Sequence, residues 1–464
     1  KMKSFYLILA LLPSIYSMVA GYEFPPIPST VESGVFPKDF QFGVSTSSYQ
    51  VEGAWLEGGK GLSTWDAFSH TPGFVANGDT GDIANDMYHL YPKDIEIMKS
   101  MNIHHYRFSI MWNRILPTGV APVNQEAIKY YNNLINLLLE NDIEPHVTIY
   151  HAETPLALTY YPNNPNPFLD STNFPKWFSD YADVLFENFG DRVKQWFTFN
   201  EPWCTAVLSI PGGEDPYRIA HNIILAHGTT AQLYRKKYQA KQGGTIGIVL
   251  NTAHFYPANS DNADDVAAAQ RAFDFNYEWF LMPLMKGSYP QSMIDTVGDR
   301  LPTFSDEEKQ LITGTADFVA INYYFPFLVT AGSANPADDA GYYKDENVTS
   351  YYDPSWPLSQ TGWGIYGPGL GDLLLYTSKQ YPNLPIYVSE NGLAWEEDNV
   401  TIAIDDKARQ QYLHDHIDAV GNALKGGAKV KGYFHWSLQD NFEWGSGYQM
   451  HFGLTWISRP SLER

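Results

Sequence analysis

Residues 196–202 read WFTFNEP, and residues 386–392 read IYVSENG. Each stretch is a short run of aromatic and β-branched residues that ends in a glutamate beside an asparagine and is closed by Pro or Gly. This composition predicts two buried strands. Glu201 and Glu390 would then lie at the carboxyl ends of their strands, which is where α/β barrels carry their functional side chains.

The two strands belong to a set of eight extended runs, at residues 40–45, 104–109, 145–150, 195–200, 245–251, 318–322, 386–389 and 431–435. Segments with helical spacing lie between them, including residues 92–100, 125–140, 174–188, 216–238 and 407–424. This alternation is typical of parallel strands joined by crossover helices. Eight strands predict a single (β/α)8 TIM barrel of the α/β class, and a decorated barrel accommodates 464 residues as one domain.

Nearly every predicted strand delivers a polar or aromatic residue near its carboxyl end, where a purely structural core would carry Val or Ile. These residues are Gln50, Arg107, His151, Asn200, Glu201, Asn322, Glu390 and Trp436. Because the carboxyl ends of barrel strands share one rim, we expect a single site there. Two facing carboxyl groups, one protonated and one ionised, are what hydrolysis of a glycosidic bond requires.

Six segments carry a family resemblance: FGVSTSSYQVEG at 42–53, YRFS at 106–109, FNEP at 199–202, NYY at 322–324, SENG at 389–392 and HWSLQDNFEW at 435–444. In this order they resemble the signatures of family 1 glycoside hydrolases, the β-glucosidase family, from about Phe36 to the last residue. FNEP is similar to the acid/base signature of that family, and SENG to its nucleophile signature. The resemblance implies a retaining two-carboxylate mechanism that uses no cofactor and no metal ion.

By the same resemblance, Glu201 is the acid/base and Glu390 the nucleophile, with their carboxyl groups about 5–5.5 Å apart. Arg107 and Tyr324 take the positions beside the nucleophile, and Asn322 lies near the glycosidic bond. The residues implied to bind the terminal sugar are Gln50, His151, Asn200, Glu443, Trp436 as a stacking floor and Trp444 beside it. We expect the pKa of Glu201 to be raised by burial and by the facing carboxylate.

The main hypothesis is a secreted retaining β-glycosidase whose partners are small-molecule β-glycosides or oligosaccharides. A β-glucosidase with some tolerance for galactosyl or fucosyl residues is the preferred form. The stretch GSGY at 445–448 differs from the Ser- and Lys-bearing stretch of relatives that act on phosphorylated sugars, so we expect an unphosphorylated sugar. Two alternatives stay open. One is a thioglucosidase, disfavoured because plant thioglucosidases replace the acid that Glu201 supplies; the other is a non-catalytic carbohydrate-binding or co-receptor module, disfavoured because both glutamates are present.

Two segments depart from the family pattern. The third-strand segment HAETP at 151–155 has Ala152 where relatives carry a tryptophan that contacts the sugar, which leaves the sugar preference open. The loop after Glu201 is shorter than in relatives. We therefore expect either a wider cleft on the leaving-group side or a cover supplied by residues 331–352.

The formal net charge of −22 comes from 52 acidic and 30 basic residues. It argues against nucleic acid and against anionic membrane surfaces as partners. Beyond the N-terminus no segment approaches the ~20 apolar residues that a membrane span needs, so no stable membrane insertion is expected. The composition predicts no particular oligomeric state.

Lys1 and Lys3 precede an apolar stretch at residues 5–15 and small residues near Ala20. This pattern predicts a signal peptide at residues 1–21, followed by an N-terminal extension at 22–35 and the catalytic domain at 36–464. Sequons at Asn347 and Asn399 suit a secreted glycoprotein. We expect an extracellular protein, with the lumen of a lysosome or vacuole as the alternative.

Cys204 is the only cysteine, so no intrachain disulfide is possible, and the residue is interpreted as a small core residue. His414 and His416 point to different faces of a predicted helix, so no metal site is predicted. The chain ends at Arg464, soon after Trp436, whereas family members continue into a last helix. We expect a barrel that lacks this helix through C-terminal truncation and exposes the apolar flank of its first and last strands.

Overall fold

Eight parallel strands form a closed barrel in the computed structural model, which describes residues 34–160, 166–208, 215–332, 341–395 and 400–464. The described strands in chain order are β1 (Gln41–Ser45), β2 (His105–Ser109), β3 (Glu144–Tyr150), β4 (Gln195–Asn200), β5 (Thr245–Asn251), β6 (Phe255–Pro257), β7 (Val319–Asn322), β8 (Phe327–Ala331), β9 (Val348–Tyr351), β10 (Ile386–Glu390) and β11 (Val430–Trp436). The barrel order is β1-β11-β10-β7-β5-β4-β3-β2. The predicted TIM barrel is confirmed, and each barrel strand begins and ends within one residue of its predicted bounds.

The helices lie mainly between consecutive barrel strands. They are α1 (Ser48–Val51), α2 (Thr64–Ser69), α3 (Met87–Ser100), α4 (Trp112–Ile115), α5 (Gln125–Glu140), α6 (Phe174–Phe189), α7 (Pro216–Tyr234), α8 (Ala240–Gln242), α9 (Ala263–Asn276), α10 (Glu278–Lys286), α11 (Gln291–Val297), α12 (Asp306–Ile312), α13 (Tyr342–Glu346), α14 (Pro368–Gln380), α15 (Val400–Ala403) and α16 (Lys407–Lys425). The predicted helices are present, although α3 begins at Met87 rather than at residue 92 and a π-helical turn, Arg235–Gln239, follows α7. None of the described helices is long and apolar enough to cross a membrane.

A three-stranded sheet of β6, β8 and β9 was not predicted from the sequence. Its strands are only three to five residues long and partly exposed, so their local pattern is weak. The sheet follows β5 and β7 at the carboxyl side of the barrel. It therefore adds to the rim where the polar strand ends meet.

Barrel strands are buried on both faces, which explains their continuous apolar and aromatic runs. All six residues of β4 are buried. Phe199 stacks on Phe178 of α6 with ring centroids 4.0 Å apart, outside the barrel. Phe197 packs inside the barrel with Val249, Phe318 and Ala320. The strand thus joins the helical layer to the barrel interior and carries Asn200 to the rim.

No α-helix follows β11 in the described stretch 430–464. Phe42 on β1, the strand paired with β11, is 42% exposed. The segment after β11 packs back on the barrel. Arg464 donates to Asp94 of α3 at 2.5 Å in a fully buried ion pair.

Candidate active site

Glu390 ends β10 and is buried among hydrogen-bond donors. Nη1 of Arg107 donates to its Oε1 at 2.6 Å, and the hydroxyl of Tyr324 donates to its Oε2 at 2.8 Å. The guanidinium is itself oriented: Nε donates to Thr148 Oγ1 at 3.0 Å, and Nη2 donates to Asn200 Oδ1 at 2.7 Å. Both oxygens of Glu390 are therefore held in place by hydrogen-bond donors.

Glu201 directly follows β4 with a positive φ of 50°. The register between β4 and β5 shifts just before it, between Phe197 and Asn200, and such irregularities re-aim side chains at barrel rims. Nδ2 of Asn322 donates to Oε1 of Glu201 at 2.8 Å, and Sγ of Cys204 donates to Oε2 at 3.2 Å. Burial and the negative charge of Glu390 raise the pKa of Glu201 to about 7, although these two hydrogen bonds lower it.

A continuous chain of hydrogen bonds joins the two glutamates. Asn322, bonded to Glu201, also donates to Asn200 Oδ1 at 3.1 Å, and the same oxygen accepts from Arg107, the partner of Glu390. The rise in the pKa of Glu201 depends partly on the charge of Glu390, so the two carboxyl groups interact electrostatically. The structure thus brings the two predicted carboxyls and both predicted nucleophile neighbours into one cluster.

Trp436, Glu443, Trp444 and His151 form a second part of the site. The ring of His151 is nearly parallel to both indoles, with centroids 5.8 Å from Trp436 and 6.1 Å from Trp444. Nε1 of Trp436 donates to Oε1 of Glu443 at 3.2 Å. Burial raises the pKa of Glu443 to about 8, and the charge of Glu390 contributes to the rise, so Glu443 lies near Glu390. The predicted sugar-binding residues on these loops therefore come together.

Gln50 lies in α1 and is completely buried. Its Nε2 donates to Asn441 Oδ1 at 2.8 Å and to the Phe442 carbonyl at 2.9 Å, and its Oε1 accepts from the Ser47 hydroxyl at 2.6 Å. Gln50 also favours the charged form of Glu443 by hydrogen bonding. Gln50 therefore links the segment after β1 to the segment after β11.

Ala152 has a left-handed backbone with φ of 69°, at the point where β3 turns onto the rim. The next residue, Glu153, is buried and accepts from the Ser48 hydroxyl at 2.6 Å and the Tyr49 amide at 2.9 Å. Burial raises the pKa of Glu153 to about 7. This carboxyl anchors the third-strand segment to α1 and so positions His151, a role that sequence reasoning missed.

The interpretation of Cys204 as an ordinary core residue is wrong. Its thiol contacts the carboxyl group of Glu201 in the site, and burial and that negative charge raise the pKa of Cys204 well above its usual value. The residue acts as a hydrogen-bond donor rather than as a nucleophile. Its spacing of three residues from Glu201 in a helical segment was the available signal.

The residues after Glu201 contact the predicted cover. Nε1 of Trp203 donates to the hydroxyl of Tyr342 in α13 at 2.8 Å, so the described part of residues 331–352 contacts the segment after Glu201. Asn347 is exposed and follows α13 directly. Asn399, the predicted signal peptide at 1–21 and most of the extension at 22–35 lie outside the described residues.

Comparison with known proteins gives a consistent result. A model described as glycosyl hydrolase family 1 matches residues 32–464. The chain is 43% identical over 463 residues to β-glucosidase 12 of Oryza sativa subsp. japonica, covering 91% of this chain and 88% of that relative. The crystal structure of a rice β-glucosidase has a TM-score of 0.90 at 34% identity and covers 94% of this chain and 97% of that chain. An aphid myrosinase has a TM-score of 0.85 at 38% identity, covering 92% of this chain and 96% of that chain.

Proposed function

Because the chain belongs to glycosyl hydrolase family 1, we propose that it is a retaining β-glucosidase that releases terminal β-D-glucosyl residues from small-molecule glycosides. The observation that carries the proposal is the difference between the two glutamates. Glu201 has a pKa raised to about 7, whereas Glu390 is paired with Arg107 and Tyr324. One group is suited to give a proton near neutral pH, and the other to attack as a carboxylate.

In the first step a carboxylate oxygen of Glu390 attacks the anomeric carbon, and a glycosyl ester forms. The bond to the leaving oxygen breaks, and that oxygen takes the proton of Glu201. In the second step Glu201 removes a proton from water, the water oxygen attacks the anomeric carbon, and Glu390 leaves as a carboxylate. Two inversions give net retention.

Binding of the sugar is assigned to Gln50, His151, Asn200, Trp436, Glu443 and Trp444, with Asn322 beside the glycosidic oxygen. Hydroxyl groups need donors and acceptors, and amide, imidazole and carboxylate groups provide both. Nδ1 of His151 is buried and has no hydrogen-bond partner among the described residues, so it is available to a sugar hydroxyl. The indole faces of Trp436 and Trp444 provide apolar surface for the sugar ring.

Two variants separate the roles of the glutamates. Glu390→Gly should hydrolyse a nitrophenyl β-glucoside at least 10³-fold more slowly, and added azide should restore turnover by forming the α-glucosyl azide, because a small anion then replaces the missing carboxylate. Glu201→Ala should form the β-glucosyl azide, since azide then attacks the intermediate in place of activated water. Proton NMR of the products, with wild-type protein giving β-glucose first, checks both. The opposite azide anomers, or α-glucose as the first product, would reject the assignment.

The two alternatives from the sequence are not favoured. Both glutamates and their hydrogen-bonding partners are in place, and the curated relatives are β-glucosidases. A panel of β-glucosides, β-galactosides, β-fucosides and a thioglucoside, compared by kcat/KM, identifies the preferred sugar and leaving group.

We further propose that the protein is a secreted eukaryotic glycoprotein. The support is the predicted signal peptide at 1–21 and the sequons at Asn347 and Asn399, of which Asn347 is exposed. Expression in a eukaryotic secretory host should place the mature protein in the medium, with an N-terminus near residue 22. Enzymatic removal of N-glycans should lower its mass, and Asn347→Gln should remove one glycan. Retention inside the cell with residues 1–21 intact would oppose the proposal.

A further inference from the structure

A cluster of three potential metal ligands lies at the opposite end of the barrel from the glutamates. His105 and Glu144 begin β2 and β3, and His146 follows two residues later on β3. One ligand atom from each lies within 4.8 Å of the others. We propose that these three residues bind one divalent first-row transition metal ion, with zinc as the representative ion.

The two shorter distances in the cluster suit such an ion. Nδ1 of His105 is 3.1 Å from Nε2 of His146 and 3.6 Å from Oε2 of Glu144. A tetrahedral ion with bonds of about 2.0–2.1 Å keeps its ligand atoms roughly 3.3 Å apart. Two imidazoles and one carboxylate are a ligand set that zinc uses with a water molecule in the fourth position.

The orientation of His146 is fixed by its other nitrogen. Nδ1 lies 2.5 Å from Oε1 of the buried Gln195 on β4, and an amide oxygen can only accept a hydrogen bond. The proton of the ring is therefore on Nδ1, and Nε2 presents a lone pair toward His105. Metal-binding histidines are usually positioned by such a second hydrogen bond.

The exposed fraction of the three side chains increases from His146 to His105 to Glu144. The side chain of His105 is 19% exposed and that of Glu144 is 41% exposed, whereas His146 is completely buried. An ion can therefore reach the cluster from solvent at Glu144. The ring of Phe434 lies edge-on to His146, with centroids 5.0 Å apart, and limits access from the barrel interior.

The two ends of the barrel are separate. Along β4, Gln195 precedes Phe197, which packs in the barrel interior with Val249, Phe318 and Ala320, and only then comes Asn200 at the catalytic rim. The metal ion would link β2 to β3 at the end of the barrel where these strands begin, and the apolar layer would separate it from the glutamates. We therefore expect it to stabilise the barrel without taking part in glycoside hydrolysis.

The test uses the untagged full chain, freed of metal by a chelator and gel filtration. Equilibrium dialysis against zinc, followed by elemental analysis, should give one equivalent per wild-type chain. His105→Ala and Glu144→Gln should weaken zinc binding at least tenfold, because each removes one ligand. His104→Ala is the matched control, since His104 is the exposed neighbour and is not in the cluster.

A second readout is structural. Cobalt added to the wild type and to His104→Ala should give the visible absorption bands of a tetrahedral site, and zinc should raise their melting temperatures. Neither effect should occur in His105→Ala. Unchanged circular dichroism would show that this variant folds. If the proposed function is right, unchanged hydrolysis of an aryl glucoside would show the same. Less than half an equivalent of zinc in the wild type, or equal binding by His105→Ala and His104→Ala, would overturn the proposal.

Discussion

Glu201 shows how a single side chain is adjusted by opposing effects. Burial and the charge of Glu390 favour its protonated form, while hydrogen bonds from Asn322 and Cys204 favour the ionised form. The balance gives a pKa of about 7, well above the usual value for glutamate. A group with this pKa can both give and take a proton near neutral pH, as the two proposed steps require.

The alkaline limb of the pH profile should report this group. Since the protonated form is required and is lost as pH rises through about 7, kcat/KM for an alkyl β-glucoside should fall above that pH. Glu201→Gln cannot donate the proton, so it should lose about 10²–10⁴-fold in kcat/KM and lack this limb. The loss should be smaller for a dinitrophenyl glucoside, whose leaving group needs less protonation. An unchanged alkaline limb in Glu201→Gln would refute the assignment of this limb.

Cys204 should have a smaller effect on the pH at which kcat/KM falls on the alkaline side. Cys204→Ala removes a donor to Oε2 of Glu201, so the ionised form is less favoured and the limb should move to higher pH. Cys204→Ser retains a donor and should leave the limb close to that of the wild type. The pH dependence of kcat/KM for the three proteins checks the prediction, which would be wrong if the alanine and serine variants had the same profile.

Among the secondary-structure elements, α2 is important because it supports the rim after β3. Its N-cap, Ser63, accepts from the Asp66 amide, and Asp66 in turn accepts from the Ser63 amide and from Lys60. The Lys60–Asp66 pair is 2.8 Å long, and both side chains are only 1% exposed. The amide of Thr64 donates to the carbonyl of Thr154, so α2 is bonded directly to the segment that carries His151.

Variants at the start of α2 should differ strongly in stability. Ser63→Ala removes a cap and should lower the free energy of unfolding by about 1 kcal/mol. Asp66→Ala leaves a buried charge on Lys60 without its carboxylate and should cost about 3–5 kcal/mol. Urea denaturation followed by tryptophan fluorescence measures both. The double variant Lys60→Met, Asp66→Ala should recover part of the loss, and equal losses for Ser63→Ala and Asp66→Ala would contradict this account.

Across the entire protein, several buried carboxyl groups keep their protons to unusually high pH. Burial raises the pKa of Glu153 to about 7 and that of Glu346 and Glu443 to about 8, in addition to Glu201. These four carboxyl groups therefore bind more protons in the folded chain than in the unfolded chain between about pH 4.5 and 8. Buried histidines such as His227 have lowered pKa values and act in the opposite direction, mainly below about pH 7, where the unfolded chain protonates them.

The melting temperature should consequently fall as pH rises from about 7 to 8.5. In this window the carboxyl groups lose the protons that the folded state prefers, and the net charge of −22 adds self-repulsion. Glu346→Gln should flatten the fall, because its amide cannot ionise. Calorimetry of wild type and variant across this range checks the prediction, and a rise in melting temperature with pH would disprove it.

The extent of the barrel was predictable because its signals are local. Strands such as β4 and β10 are runs of aromatic and β-branched residues, and this local composition indicates a strand without knowledge of tertiary contacts. Glu201 and Glu390 were found because each ends such a run. The sheet of β6, β8 and β9 was not found, since its strands are short and partly exposed and are formed only by pairing with one another.

The amino-acid order alone determined which polar residues end the strands, because periodicity and breakers are properties of neighbouring residues. Only the tertiary structure decided which of them touch. The bonds from Asn322 to Glu201, and from Arg107 to Glu390, join residues 121 and 283 positions apart. The same holds for His105 and His146, which are 41 positions apart and meet because β2 and β3 are neighbours in the barrel. Burial and nearby charge set the pKa of Glu201, and both exist only once the chain has closed around it.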